Sequence, residues 1–310
     1  MPAVSVIVPV YKVEKYIERC ARALFGQTLE DMEFVFVDDC TPDRSMEILA
    51  QVLEEYPERK PQVKIVTNEV NLGLPATRLK GVGNSAGDYI IHCDSDDWPQ
   101  TDMYGKLYSK AVSEDLDMVI CGVTRVLPNK PSTHLCGPVA TDDLVESLLR
   151  QDTLFFVHNK LVRRSVYGHD LKCSVHNMLE DAPLTVQLAY YCRSWGFVDE
   201  YLYNYCYCSG SLTDAEDTSE KLWHMKENLD VVISFIESKG LSRKYRKAII
   251  SLKDWMRSRG RDMPRSFYMK LYPEINIPFL FDRDIPVMER LGHLTTLLGI
   301  HGISKPFRRK

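Results

Sequence analysis

Ala3-Val4-Ser5-Val6-Ile7-Val8-Pro9-Val10 is an almost unbroken apolar run, the pattern of a parallel strand covered on both faces. Helical spacing takes over from Val13 to Phe25, where Tyr16, Ile17, Cys20 and Leu24 recur. The alternation then repeats. Glu33 to Val37 reads as a second strand, Thr41-Pro42-Asp43 opens a helix carrying Met46, Leu49 and Val52, and Val63 to Val66 reads as a third strand. After Asn71-Leu72-Gly73-Leu74 comes a helix with Ala76, Arg78, Lys80 and Gly81, and Tyr89 to Cys93 is the fourth strand. Strand and helix in turn over short connections predict an α/β fold, a doubly wound and mostly parallel sheet. Right-handed crossovers place the carboxyl ends of these strands along one edge.

The pattern continues with a helix through Met103, Leu107, Tyr108 and Ala111, a strand from Leu116 to Cys121, and a helix begun by Thr141-Asp142-Asp143. Tyr201, Tyr203, Tyr205 and Tyr207 alternate within an Ala189–Tyr207 run, which reads as a half-buried strand whose rings pack in the core. From Thr218 the period is helical through Leu222, Met225, Leu229, Val232 and Ile236, and Leu241-Ser242 starts the next helix. Val287, Met288, Leu291, Leu294 and Leu298 give an amphipathic helix near the end. The predicted organisation is an α/β domain over 1–214, its halves meeting near residue 120, followed by a helical region over 215–310.

Composition narrows the class. At 45% hydrophobic and 26% charged residues the chain can bury a core, which excludes a disordered protein. No apolar run is long enough to cross a bilayer, and Met1-Pro2-Ala3 leads straight into a strand without a secretory pattern. Nine scattered cysteines fit reduced thiols and a cytoplasmic location, and Cys206 and Cys208, without partners at zinc spacing, read as core. Charge is split: residues 241–310 carry sixteen Lys and Arg against six Asp and Glu, whereas the rest of the chain is acidic. An amphipathic helix followed by Lys305, Arg308, Arg309 and Lys310 suits peripheral contact with the inner membrane face; the alternative is a helix packed on the body. There is no nucleic-acid motif and no aromatic interleaving of the basic stretch.

The candidate chemistry is acidic. Asp94, Asp96 and Asp97 follow the fourth strand, where ligands of open α/β sheets bind. Carboxylates so close need a counter-charge, and hard oxygen ligands suit Mg²⁺ or Mn²⁺ holding a diphosphate. An acidic turn capping the next helix is the plainer reading. Asp38-Asp39 after the second strand and Pro9 to Tyr11 after the first converge on the same crevice. Asp39 can accept a hydrogen bond from a base, Tyr11 can stack on it, and Arg78 can pair with phosphate. Neither Gly-x-Gly-x-x-Gly nor Gly-x-x-x-x-Gly-Lys-Ser/Thr is present, which disfavours dinucleotide-binding oxidoreductases and P-loop enzymes.

Val4 to Tyr11, Gln27-Thr28, Val37-Asp38-Asp39, Asn71-x-Gly73, Ala76-x-Arg78, Gly87 to Ile90 and Asp94-Ser95-Asp96-Asp97 together resemble the family-2 glycosyltransferases over residues 3 to about 120. The resemblance implies a GT-A fold with a donor half (1 to about 120) and an acceptor half (to 214). It also implies a nucleotide-sugar donor (UDP-linked), Mn²⁺ or Mg²⁺, and inversion at the sugar carbon. It places Pro9, Tyr11, Asp38, Asp39, Arg78 and Asp94 at the nucleotide, with Asp39 in the place of the uracil-binding carboxylate. Asp94 and Asp96 match the Asp-x-Asp motif, Asp96 as metal ligand and Asp94 at the ribose or metal. Met178-Leu179-Glu180-Asp181 matches the family's Glu-Asp motif and makes Asp181 the general base, with Glu180 orienting the acceptor. Phe155 to Arg164 resembles the Asn-Lys-Leu stretch of capsule and wall-polysaccharide members, which puts Lys160 and Arg163 near the acceptor or phosphate. Gly210-Ser211-Leu212-Thr213 resembles a loop closing over the donor phosphates, with Ser211 a contact. The implied acceptor is a hydroxyl of a glycan or a lipid-linked glycan in surface polysaccharide synthesis. Arg78-Leu79 in place of Arg-Asn, and Cys40-Thr41-Pro42 in place of Gly-Ser-Thr, depart from the family near the nucleotide. An inactive binding protein of this fold and a nucleotidyltransferase are the competing classes. Intact Asp94, Asp96 and Asp181 argue against the first, and Pro9-Val10-Tyr11-Lys12, not a Gly-rich basic loop, argues against the second.

Overall fold

The computed structural model describes residues 1–127, 130–136, 141–207, 218–260, 263–281 and 287–298. Its first part alternates β1 (Val4–Val10), α1 (Ile17–Phe25), β2 (Met32–Asp38), α2 (Ser45–Glu54), β3 (Val63–Thr67), α3 (Leu74–Gly83) and β4 (Tyr89–His92). β1 lies between β2 and β4, parallel to both, and β3 flanks β2 in parallel. The chain thus leaves β1 toward one side of the sheet and later returns to its other side, which makes the carboxyl ends of β1 and β4 a topological switch point.

Residues alternate between the two faces. Val6, Val8, Phe34, Phe36 and Ile91 are buried in the core shared with Leu24 of α1 and Leu49 of α2. Ile7, Val35, Val37 and Ile90 form a smaller cluster on the other face, packed by Val82 of α3. Gly81 lets α3 lie directly on β1: a Cβ there would sit 2.3 Å from Ile7 Cγ2. That close approach carries Arg78, one turn earlier, to the end of the sheet.

The second part contains β5 (Trp98–Pro99), α4 (Met103–Ser113), β6 (Met118–Val126), β7 (Thr133–Cys136), α5 (Leu144–Leu149), β8 (Lys160–Arg163), α6 (Asp181–Tyr191) and β9 (Trp195–Cys206). All join one sheet of order β3-β2-β1-β4-β8-β6-β9-β5, with β7 on β6. The parallel arrangement holds for β3-β2-β1-β4 and for β6 with β9. β8 runs antiparallel to both β4 and β6, and β5 and β7 are also antiparallel to their partners. The predicted strand from Ala189 is helix to Tyr191 and becomes strand only at Trp195.

The helical region comprises α7 (Ser219–Ser238), α8 (Arg246–Arg259), α9 (Arg265–Tyr268), α10 (Asn276–Phe281) and α11 (Val287–Leu297). Leu229 and Ile236 of α7 and Leu252 of α8 share one core with Met118 of β6, Val162 of β8 and Val186 of α6. α7 and α8 are therefore built onto the second part of the sheet. α11 differs: Val287, Met288, Leu291 and Leu298 are exposed, as is Phe281 of α10. No helix among the described residues is long and apolar enough to cross a membrane.

Candidate active site

Arg78 is the centre of the cleft. Its side chain is 3% exposed, and Nη2 donates to Asp94 Oδ1 at 2.7 Å and to Glu180 Oε1 at 3.1 Å, with Asp181 Oδ1 at 3.7 Å. One guanidinium so joins the end of β4 to the start of α6. Burial would lower its proton affinity, but Asp94, Asp181 and Glu180 more than reverse this and keep it charged. Nη1 is buried with no hydrogen-bond partner.

The carboxylates around it divide by environment. Burial pushes the Asp94 carboxyl up, yet Arg78 and then His158 hold it well below the usual carboxylate range. At Asp96, burial and the Asp94 charge outweigh the opposing pull of Arg19 and Arg78 and push it up to about 6. Asp97 is fully buried, accepts from the Tyr203 hydroxyl at 2.9 Å and the Cys206 N–H at 2.6 Å, and is raised well above its ordinary value by burial and by Asp96 and Asp94. Burial and the neighbouring Asp181 raise Glu180 in the same way, against the pull of Arg78. Asp181 is the first residue of α6; Oδ2 accepts from Val157 N–H at 3.3 Å, and Oδ1 is buried with no hydrogen-bond partner.

These shifts test the fit of a divalent cation. Burial first, then neighbouring carboxylates, lift Asp96, Asp97 and Glu180 above their ordinary values, and a cation among them would offset that repulsion. The donors are hard oxygens at the carboxyl edge of the sheet, which fits Mn²⁺ or Mg²⁺. Asp94, Asp97 and His158 bring ligand atoms within 4.8 Å of one another. Asp97 already accepts from Tyr203 and Cys206, as Asp94 does from Arg78, and Asp96 stands two residues from Asp94 in the same acidic turn. His158 is 1% exposed, stacked between Phe156 at 4.7 Å and Tyr203 at 4.1 Å, with Nδ1 3.5 Å from Asp94 Oδ2.

Just beyond the end of β2, Asp39 is 3% exposed. Its Oδ1 accepts from Asn68 Nδ2 at 2.7 Å and Leu72 N–H at 2.8 Å, and its Oδ2 from Gly73 N–H at 3.0 Å. A carboxylate has about four acceptor sites, so Oδ2 keeps capacity for one more donor. Asp38 holds the turn after β2 by accepting from Thr41 N–H at 2.8 Å. Pro9 is buried near the end of β1, and Tyr11 beyond it is 39% exposed, with Lys12 Nζ 5.1 Å from its ring centroid. Lys12 and Cys40 after β1 and β2, and Leu179 before Glu180, all have positive φ (55°, 57° and 60°). Side chains rarely adopt that region, and such strain gathers where function fixes the backbone.

Two expected residues lie elsewhere. Arg163 pairs across the sheet with Tyr89, at the start of β4 and the far end from Asp94, and binds Asp115 and Asp117. The antiparallel direction of β8 puts it there. Lys160 is at the correct end but turned inward: it is 2% exposed and Nζ donates to the carbonyls of Leu154, at 2.8 Å, and Phe156, at 2.6 Å. Ser211 and its loop lie outside the described residues. Conversely, Tyr203, assigned to core packing by its alternation, braces the acidic turn: besides binding Asp97 it accepts from Asp94 N–H at 3.0 Å.

The geometry, an Asp-x-Asp turn at a topological switch point facing a Glu-Asp helix start, is that of a GT-A sugar transferase. Residues 5–170 match the family model for glycosyl transferase family 2, and the chain belongs to that family. The uncharacterized glycosyltransferase EpsJ of Bacillus subtilis (strain 168) is 31% identical over 255 residues, covering 78% of this chain and 72% of that one. Among solved structures, S. aureus TarS 1-349 in complex with UDP-GlcNAc aligns with a TM-score of 0.62 at 18% identity, over 96% of this chain and 82% of that one. The mannosyltransferase PcManGT from Pyrobaculum calidifontis, in complex with GDP-Man and Mn²⁺, aligns at 0.56 and 13% identity over 96% and 87%. The chain is a glycosyltransferase with the α/β GT-A fold.

Proposed function

We propose that this enzyme transfers a sugar, with inversion, from a UDP-sugar to a hydroxyl of a glycan or lipid-linked acceptor in surface polysaccharide synthesis. The observation that carries this reading is the contact of one buried guanidinium with Asp94, Glu180 and Asp181, which sets the donor turn and the base in one cleft. The UDP-GlcNAc bound to TarS and the Mn²⁺ and GDP-Man bound to PcManGT support the donor class and the cation. The polysaccharide role rests on the sequence resemblance.

Asp39 and the Asn68–Gly73 loop receive the base, and Tyr11 offers a ring face beside them. Asp96 and Asp94 would hold a divalent cation, which would supply charge stabilisation to the departing diphosphate. Asp181 takes the acceptor proton as the acceptor oxygen attacks the anomeric carbon. Burial and the neighbouring Asp181 make Glu180 resist ionisation. Arg78 fixes the distance between both carboxyls and Asp94. The enzyme works in the cytoplasm, with the exposed apolar side of α11 against the inner membrane face.

The test is release of nucleoside diphosphate from a panel of nucleotide sugars with Mn²⁺. Asp181→Asn is expected to lower turnover about 10²–10⁴-fold, the scale of general-base loss, with affinity for Mn²⁺ and UDP unchanged. Release of pyrophosphate, or full turnover by Asp181→Asn, would sink the reading.

A further inference from the structure

The segment from Val175 to Met178, just before the catalytic helix, has neither helix nor strand to satisfy its backbone. One side chain does that work from outside the α/β domain. Asn228, on α7 and fully buried, accepts through Oδ1 from Val175 N–H at 2.9 Å and His176 N–H at 3.4 Å. Its Nδ2 donates to the carbonyls of His176 and Met178, both at 2.8 Å. All donors and acceptors of the amide are used. Immediately after Met178 the chain turns through Leu179, at φ 60°, into Glu180 and Asp181.

The other side of the segment meets the donor loop. Asn177 Oδ1 accepts from Leu74 N–H at 3.0 Å and lies 2.9 Å from where a Cβ on Gly73 would be. Three successive N–H groups, of Leu72, Gly73 and Leu74, are thus divided between Asp39 and Asn177. Leu74 begins α3, the helix of Arg78.

We propose that residues 175–178 form a strap, anchored by Asn228 and Asn177, that sets the position of Asp181 relative to the donor. Asn228 is a positioning residue: it touches neither nucleotide nor acceptor and acts through the backbone that leads to the base. This inference rests on the reading of Asp181 as general base. It also gives the helical region a part in catalysis, because α7 holds the base segment from behind. Asn228→Asp keeps an acceptor for Val175 but turns oxygen toward two carbonyls. It should loosen the strap while the donor loop, still held by Asp39, keeps its shape.

The experiment is hydrogen–deuterium exchange of the full chain, with calorimetric binding of UDP in Mn²⁺ and UDP release from UDP-N-acetylglucosamine. For Asn228→Asp, amides of 175–181 are expected to exchange at least about tenfold faster and kcat to fall at least about tenfold, while the UDP Kd stays within about twofold. Asn177→Ala, an exposed and milder change, should shift exchange and kcat in the same direction without a fall in melting temperature. Unchanged exchange at 175–181 in both variants overturns the strap. Faster exchange with an unaltered kcat overturns its role in placing the base. If Asp181→Asn keeps its turnover while Asn228→Asp still speeds exchange and slows turnover, the base assignment falls and the positioning effect of Asn228 stands.

Discussion

At the scale of single residues, charge balance governs the cleft. Arg78 is almost fully buried among Asp94, Glu180 and Asp181. Removing one partner of a buried ionic network strands the others, so Arg78→Met is expected to cost about 3–5 kcal/mol of stability, read from the urea midpoint. Added Mn²⁺ should restore part of that loss. Asp96 gives a pH signature. Its carboxyl is held up at about 6, above the unfolded value, so without cation its protonated form favours the folded state at low pH. That contribution fades as pH rises from about 4 toward 6, where the unfolded chain ionises first. Mn²⁺ needs the ionised form, so the rise in melting temperature it produces should grow from pH 5 to pH 7, with its midpoint near 6. A metal-induced shift that is flat over this range would remove Asp96 from the ligand set. Asp39, Asp94, Asp96 and Asp181 were legible because their order and spacing along the chain are distinctive. Tyr203 and Asn228 were not, since a Tyr in an alternating strand and an Asn on a helix carry no local sign that their tips brace another segment.

At the scale of elements, length decided what could be read. β1, β2 and β4 are apolar runs and α7 is long and periodic, so each was predicted in place. β5 has two residues, and β8, as short as β4, has Lys160 and Arg163 at its ends where β4 is an apolar run, so neither stands out and their pairing is set by tertiary contacts. Missing β8 led directly to the misplacement of Arg163, and the inward turn of Lys160 depends on the carbonyls of a preceding loop. Lys160→Met should therefore act on the fold: about 1–3 kcal/mol less stable in urea for the unpaired carbonyls, with UDP affinity unaltered. Loss of UDP binding at full stability would return Lys160 to the ligand. The exposed apolar side of α11 predicts that the full chain floats with vesicles rich in anionic lipid, and that Leu291→Glu weakens this. Equal flotation of both proteins would mean that another surface, or none, meets the lipid.

At the scale of the whole molecule, the parallel half of the sheet follows from sequence periodicity, whereas its union with the second half does not. Donor and acceptor parts are joined by β8 and by a core shared among β6, α6, α7 and α8. Those contacts are long-range, and nothing in the local pattern announces them. The central place of β8 carries a consequence for biosynthesis. β4 pairs with β1 on one side, but its other edge keeps its hydrogen-bonding groups unmatched until the ribosome has delivered Lys160 to Arg163. A nascent chain stopped near residue 120 would display that edge beside its acidic turn and is prone to pair with a second nascent chain. Chaperone capture should therefore peak before β8 emerges and fall sharply once it has docked.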